Sequence, residues 1–219
     1  MSSIVFALAK GRLAEHAMKL LDEAGIICDE IKSDMGRGSR KLIFSSEESK
    51  TSFFLAKAPD VPTYVDYGAA DIGVAGKDSL LEERRNLYEV LDLGFGACRM
   101  IVAGREDMRE RLRRGNNFRV ATKYPNIALN WFARQKQQSV EIIRLAGSVE
   151  LAPIIGLADF IVDIAETGRT LRENGLCALE EITPISARMV VNRASMKIKH
   201  ARVVGIIKKL KGILRETQR

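Results

Sequence analysis

Cysteine and histidine are scarce in this chain. Among 219 residues there are three cysteines (Cys28, Cys98 and Cys177), far apart and without a Cys-x-x-Cys pair, and two histidines, His16 and His200. So few soft ligands at such spacings argue against a structural zinc site or a disulfide framework. Each cysteine is expected to be a small buried hydrophobe in a reducing compartment. No Gly-x-Ser-x-Gly segment and no Ser/His/Asp set occurs. An enzyme built from this sequence would therefore work by positioning and charge stabilisation, without a covalent intermediate. His16, on the second turn of a first helix, and His200, in a basic tail, read as exposed or half-buried and not catalytic. No apolar run approaches the length of a membrane span. Ile4–Leu8 is too short for the hydrophobic part of a signal peptide before Lys10-Gly11-Arg12 interrupts it. The expectation is a soluble, cytoplasmic protein with no membrane partner. Aromatic residues make up 6% of the chain and are not interleaved with the basic runs, which leaves little for stacking nucleic-acid bases.

What the chain has in excess is positive charge. A formal net charge of +7 points to an anionic partner: nucleic acid, a membrane surface or a polyphosphate metabolite. The surplus gathers at Arg105–Arg119, which includes Arg109, Arg111, Arg113 and Arg114, and in the tail from Lys197 to Lys211. Both runs read first as solvated faces. The length suits one large domain or two small lobes, and no flexible linker or internal repeat interrupts it.

Strand and helix signals alternate. Ile4–Leu8 reads as a buried strand; Leu13, Ala17, Leu20, Leu21 and Ala24 recur at helical spacing, with Gly25 as the cap. Arg40–Ser45 and Ser52–Ala56 predict strands, and Pro62–Ala69 a short helix with Asp60 as its N-cap. Asp71–Ala75 predicts a strand, after which Gly76-Lys77-Asp78 opens a helix through Arg84. A second unit begins near Leu93. Its strands are expected at Arg99–Ala103, Phe118–Thr122, Glu141–Leu145 and Phe160–Ile164, and its helices at Ile127–Gln135 and Val149–Gly156. Arg188–Asn192 is a late strand. Val203, Ile207, Leu210 and Leu214 mark a final helix whose stripe packs into the core or serves as an oligomer face. The alternation predicts parallel sheet with helices on both faces, in two lobes that exchange strands.

The segment Phe160-Ile-Val-Asp-Ile-Ala-Glu-Thr-Gly-Arg-Thr-Leu171 carries the most chemistry. An apolar strand aims Asp163 from its carboxyl end. Glu166–Thr170 then offers backbone N–H groups, two hydroxyls and a guanidinium ahead of a helix-forming stretch, Leu171–Asn174. That is suited to a sugar phosphate. The alternative is an ordinary strand-to-helix cap with Thr167 or Thr170 at the N-cap. Three further strand-end turns are polar: Ala9-Lys10-Gly11-Arg12, Gly73–Asp78 and Thr122-Lys123-Tyr124-Pro125. Ligands of open parallel sheets bind at such ends, and a Lys or Arg beside a helix start suits anions. Together the four turns point to a polyanionic small molecule held between lobes.

Glu150, Gly156, Ala158, Val162-Asp163-Ile164, Thr167-Gly168, Thr170 and Leu171 follow the pattern Glu-x5-Gly-x-Ala-x3-Val-Asp-Ile-x2-Thr-Gly-x-Thr-Leu. This resembles the signature of the ATP phosphoribosyltransferases. The resemblance extends to Ala7-Leu-Ala-Lys-Gly-Arg-Leu13, Asp60-Val-Pro-Thr-Tyr-Val65, Gly68-Ala-Ala-Asp-Ile-Gly73, Ala121-Thr-Lys-Tyr-Pro-Asn126, Gly147-Ser-Val-Glu-Leu-Ala-Pro153 and Val191-Asn-Arg-Ala-Ser195. It implies a fold like a type II periplasmic binding protein, with mixed sheets, helices on both faces and a cleft between lobes. Lobe I would comprise residues 1–92 plus 183–219, and lobe II residues 93–182. The implied reaction is the first step of histidine biosynthesis. N1 of ATP attacks C1 of phosphoribosyl pyrophosphate, with Mg²⁺ carried by the polyphosphates, and pyrophosphate leaves.

By the same resemblance, Asp163 would accept hydrogen bonds from the ribose hydroxyls, and Ala165, Glu166, Thr167, Gly168, Arg169 and Thr170 would wrap the 5-phosphate. Lys10, Gly11, Arg12, Arg40, Lys57 and Asp71 would belong to the ATP or pyrophosphate side, with Asp71 equally readable as a cap of the sheet. No catalytic group is singled out; Arg40, Lys57 and Lys10 are the candidates. Position 57 is Lys where many members carry Arg, which keeps the charge and loses the bidentate fork. The chain resembles the family's short form, which lacks the C-terminal histidine-binding domain. That implies a homo-oligomer, such as a dimer, and a separate regulatory subunit similar to a histidyl-tRNA synthetase. A solute-binding protein would share the lobes but not the Glu150–Leu171 pattern. A conventional phosphoribosyltransferase would carry adjacent acids, where here Ile164 follows Asp163.

Overall fold

The computed structural model describes residues 3–27, 42–47 and 49–217. They divide into two compact units, Met1–Gly96 with Ser186–Arg219, and Ala97–Ile185. Each is a mixed sheet flanked by helices.

In unit 1 the sheet runs β2-β3-β1-β4-β11-β5, built from β1 (Ile4–Ala9), β2 (Ile43–Ser46), β3 (Thr51–Ala56), β4 (Ile72–Gly76), β5 (Tyr88–Asp92) and β11 (Ala187–Val191). β1 lies parallel to β3 and β4, while β2 and β11 pair antiparallel. Ile4, Phe6, Ala7 and Leu8 are fully buried because a central parallel strand has apolar cover on both faces. Helix α1 (Arg12–Glu23) sends Ala14, Ala17, Leu20 and Leu21 into that core. It ends in a Schellman motif: Gly25, at φ +63°, donates to Asp22 O at 2.8 Å, and Ile26 donates to Leu21 O at 2.9 Å. Helix α2 (Val61–Asp66) packs so close on β4 that a Cβ at Gly73 would lie 2.6 Å from Val65. The expected cap at Asp60 does not form. That residue closes a 3-10 turn, Ala58–Asp60, with helical backbone and no side-chain cap.

Two short helices complete the middle of unit 1 and precede its end, α3 (Lys77–Glu83) and, after β11, Arg193–Ile198. The last helix, His200–Thr217, buries Val203, Ile206 and Leu210 against α1, with Ile207 and Leu214 partly buried beside them. Its apolar stripe is therefore core.

In unit 2 the order is β10-β6-β9-β7-β8, from β6 (Cys98–Gly104), β7 (Phe118–Thr122), β8 (Val140–Arg144), β9 (Phe160–Ala165) and β10 (Cys177–Ile185). β7 is parallel to β8 and β9, and β6 runs antiparallel to β9 and β10. The expected Val149–Gly156 helix shrinks to Leu151–Ile154, because Pro153 supplies no donor and Gly156 turns out at φ +74°. The helix after β7 is α-helical only over Pro125–Trp131 and continues as a π turn, Phe132–Lys136. Arg109–Arg114 forms a short helix where the sequence suggested only a charged face.

Candidate active site

In unit 2 the parallel register places three carboxyl ends side by side. Val120 pairs Phe160 and Thr122 pairs Val162, while Thr122 also pairs Arg144. The turns after β7 and β9 are therefore neighbours, as the sequence reading of strand-end loops requires.

Asp163 is half-buried, and its Oδ1 accepts from the Ile164 amide at 2.9 Å, which orients the carboxylate. Glu166, Thr167, Arg169 and Thr170 are exposed, Gly168 is half-buried and Ala165 is buried as the last residue of the strand. The N-cap is Gly168, left-handed at φ +67°, and not Thr167 or Thr170. The helix that follows spans Arg169–Glu173, starting two residues and ending one residue earlier than expected. Its first intrahelical bond is Arg172 N to Gly168 O at 3.2 Å. The amides of Gly168, Thr170 and Leu171 thus precede the ladder and have no intrahelical acceptor. Thr167 Oγ1 accepts weakly from Arg169 N at 3.4 Å, and Arg172 holds Thr167 O at 3.0 Å. Arg169 itself pairs with Glu173 at 2.7 Å. With so short a helix, individual amides and hydroxyls supply the anion-binding capacity, and the macrodipole adds little.

In unit 1 the same logic brings two sequence-separated loops together. Ala9 pairs Ala56 in the parallel register, and Lys10 N donates to Ala56 O at 2.9 Å. Lys10 and Lys57 thus leave adjacent strand ends, and both are exposed. Gly11 is the N-cap of α1 at φ +86° and ψ −154°, a backbone region open essentially to glycine alone. Arg12, also exposed, opens the helix. The neighbouring turn after β4 is already committed: Lys77 pairs with Glu89 at 2.5 Å. His16 is exposed, its Nδ1 donating to Arg12 O at 2.7 Å and its ring stacking on Phe95. Arg40 lies outside the described residues.

Asp71 is placed elsewhere. It precedes β4, at the amino end, so a strand of five residues separates it from the Gly76 edge, roughly 16 Å. It is 4% exposed. Its carboxylate accepts from Val5 N (2.8 Å), Ser195 Oγ (2.6 Å) and Lys199 Nζ (2.8 Å). Of its two readings, the cap of the sheet is the one this geometry describes. The motif at Val191–Ser195 serves the same junction. Asn192 caps the helix Arg193–Ile198 by accepting from Ser195 N at 2.9 Å and donates to Val65 O at 2.8 Å.

The arginine run is largely paired within unit 2. Arg109 grips both oxygens of Glu106 at 2.7 and 2.8 Å and donates to Leu179 O at 2.8 Å, tying the helix start to β10. Arg111 pairs with Asp159 at 3.3 Å and Arg114 with Glu110 at 2.6 Å. The Arg109 hydrogen bonds hold the Glu106 carboxyl down to about 2. Burial, and then the hydrogen bond that its thiol donates to Glu106 at 2.9 Å, push Cys177 up to about 11.

The signs are opposite. The Glu106 contribution to stability is present above the ordinary value of 4.5 and is lost as pH falls through about 2. The Cys177 contribution is present below 9.0 and is lost as pH rises through about 11. Because only the thiolate reacts, Cys177 should alkylate about 100-fold more slowly in the folded chain than in the denatured chain at pH 8. Timed iodoacetamide labelling read by peptide mass checks this, and equal rates would refute it. Glu106→Gln should speed the folded-state reaction.

Two α/β units, each with polar turns gathered at the carboxyl ends of its parallel strands, define the class: a two-lobe fold of the periplasmic-binding-protein type, bearing turns that suit phosphate. Structural comparison agrees on the fold. The periplasmic aliphatic sulphonate binding protein SsuA of Escherichia coli matches with a TM-score of 0.60 at 12% identity, covering 100% of this chain and 74% of that one. A closer similarity is to the ATP phosphoribosyl transferase (HisG:HisZ) complex of Thermotoga maritima. It has a TM-score of 0.80 and 38% identity, covering 97% of this chain and 99% of that one. The profile of the HisG family, ATP phosphoribosyltransferase, matches residues 57–212. The ATP phosphoribosyltransferase of Lachnoclostridium phytofermentans is 60% identical over 218 residues, spanning 100% of both chains. That of Caldanaerobacter subterraneus subsp. tengcongensis is 53% identical over 214 residues, 98% of this chain and 99% of its own. The chain belongs to the ATP phosphoribosyltransferase family.

Sequence reasoning passed over Thr122 as a buried group. It counted that residue among the polar members of a ligand turn, whereas its hydroxyl points into the sheet and bonds Val162 O at 2.6 Å.

Proposed function

We infer that this chain transfers the 5-phosphoribosyl group of phosphoribosyl pyrophosphate to N1 of ATP, releasing pyrophosphate, as the first step of histidine biosynthesis. The observation that carries the reading is 60% identity to an ATP phosphoribosyltransferase along the whole of both chains. The site chemistry agrees with it. Both substrates are polyanions, and breaking the C1–O bond puts negative charge on the departing pyrophosphate.

Asp163 takes the ribose hydroxyls. The backbone amides from Glu166 to Thr170 and the Thr167 and Thr170 hydroxyls hold the 5-phosphate, with Arg169 at its margin. Lys10, Gly11, Arg12 and Lys57 serve ATP or pyrophosphate, and Arg40 joins them by resemblance alone. No side chain is assigned the catalytic step. Among the described residues no group of three or more His, Cys, Asp or Glu is arranged to hold a metal. Mg²⁺ would arrive on the substrate phosphates and keep several waters, with Asp163 and Glu166 the carboxylates of the turn that could orient it. The metal supplies charge neutralisation on the leaving group.

Among the described residues no helix is long and apolar enough to cross a membrane, in keeping with a cytoplasmic enzyme. A separate regulatory partner is supported by the Thermotoga maritima structure, a HisG:HisZ complex whose matched chain is 99% covered by this one; the homo-oligomer and the likeness of the partner to a histidyl-tRNA synthetase rest on the family resemblance.

The test is a purified-chain assay of pyrophosphate release. Release should require ATP, phosphoribosyl pyrophosphate and Mg²⁺ together, and release without ATP would refute the reading. Histidine should leave the lone chain's activity unaltered and inhibit only after the regulatory subunit is added. Strong inhibition of the lone chain would refute the partner assignment.

A further inference from the structure

Thr122 is a fully buried polar side chain of unit 2, at 0% exposure. Its hydroxyl does two things at once. It donates to the Val162 carbonyl on the neighbouring strand at 2.6 Å and accepts from the Tyr124 amide in its own turn at 2.8 Å. Val162 is the residue before Asp163. Tyr124 is the N-cap of the helix Pro125–Trp131, is 4% exposed and carries Lys123 over its ring at 4.9 Å. One buried oxygen therefore links the strand end that presents Asp163 to the turn that presents Lys123.

The geometry points to Thr122 as a positioning residue for phosphoribosyl pyrophosphate: it touches no ligand, and it sets the height of Asp163 against the turn after β7. This rests on the assignment of Asp163–Thr170 to the sugar phosphate. A hydrogen bond to a ribose hydroxyl weakens steeply with small displacements, so fixing the carbonyl one residue upstream matters for affinity. The backbone pairing of Thr122 with Val162 already holds the strands together. What the hydroxyl adds is a side-chain bond at the last β7–β9 pair, tying the turn after β7 to β9, which runs on against β6 through Asp163 to Ala165.

Calorimetric titration of the full-length chain with phosphoribosyl pyrophosphate, and separately with ATP, tests this. Thr122→Val keeps the shape and removes both bonds. It should weaken phosphoribosyl pyrophosphate about tenfold and leave ATP within about twofold, a loss comparable to one buried hydrogen bond. Thr122→Ser keeps the hydroxyl and should restore most of the affinity, while Thr122→Ala should behave like Thr122→Val. Equal losses in the Ser and Ala variants would assign the effect to methyl packing and overturn the proposal. They also decide the matter should the Val variant fail to fold. Unaltered binding in Thr122→Val alongside impaired binding in Asp163→Asn would overturn the positioning role alone. Unaltered binding in both would overturn the site assignment on which it rests.

Discussion

Replacing Asp163 by Asn should weaken phosphoribosyl pyrophosphate binding by about tenfold or more and change ATP binding by less than about twofold. Asn preserves the side-chain oxygen that accepts from the Ile164 amide at 2.9 Å, so the strand end keeps its geometry. What is lost is the charge, and with it the strength of hydrogen bonds accepted from ribose hydroxyls. Hydrogen bonds to a charged partner contribute roughly 1.5–3 kcal/mol, and about 1.4 kcal/mol corresponds to a factor of ten. Thr170→Ala should act in the same direction with a smaller effect, because its hydroxyl is exposed and neutral and the backbone amides of the turn remain. Titration with each substrate in turn distinguishes the outcomes. Equal losses for both substrates would mean that the Asp163–Thr170 turn does not hold the sugar donor.

Removing the Asp71 carboxylate should have the largest effect on stability and almost none on substrate affinity. Asp71→Ala strips an acceptor from Val5 N, Ser195 Oγ and Lys199 Nζ together, at a position 4% exposed. Losing one partner of a buried ion pair costs about 3–5 kcal/mol. The lower end applies, since Lys199 is about one-quarter exposed and regains water. Urea denaturation should show a midpoint shift with an unchanged slope. At temperatures where the variant stays folded, both substrates should bind as tightly as before. A selective loss of ATP affinity with full stability would return Asp71 to the ligand edge.

Much of this was legible in the amino-acid order, for reasons that differ by element. Strands buried on both faces, such as Ile4–Ala9 and Phe118–Thr122, announce themselves as apolar runs ending at polar turns, and the observed strands fall where the runs do. The family resemblance supplied the two-lobe class, and the Thermotoga maritima similarity agrees with it. Two of the four edge strands were missed. Tyr88–Asp92 carries two acids and has no buried residue, and Cys177–Ile185 contains Glu180-Glu181, Pro184 and two register shifts. A strand with one open side tolerates such residues, so no alternation marks it. The paired arginines were misjudged for a similar reason. Arg109 looks like any solvated cation until Glu106 and the Leu179 carbonyl, 70 residues away, meet it.

The sequence by itself determined the family and much of the strand-and-helix alternation, and it singled out the Asp163–Thr170 turn as a candidate, because each is written in residues close together along the chain. Only the tertiary structure decided which separated residues meet. Lys10 and Lys57 become neighbours because β1 and β3 run parallel in a register that pairs Ala9 with Ala56. Asp71 falls at the far end of its strand, and it is saturated by groups drawn from residues 5, 195 and 199. Thr122 turns its hydroxyl into the sheet because the β7–β9 register brings the Val162 carbonyl within 2.6 Å. Strand register is a long-range choice, set by how whole apolar faces pack, and a local pattern of residue types carries no record of it.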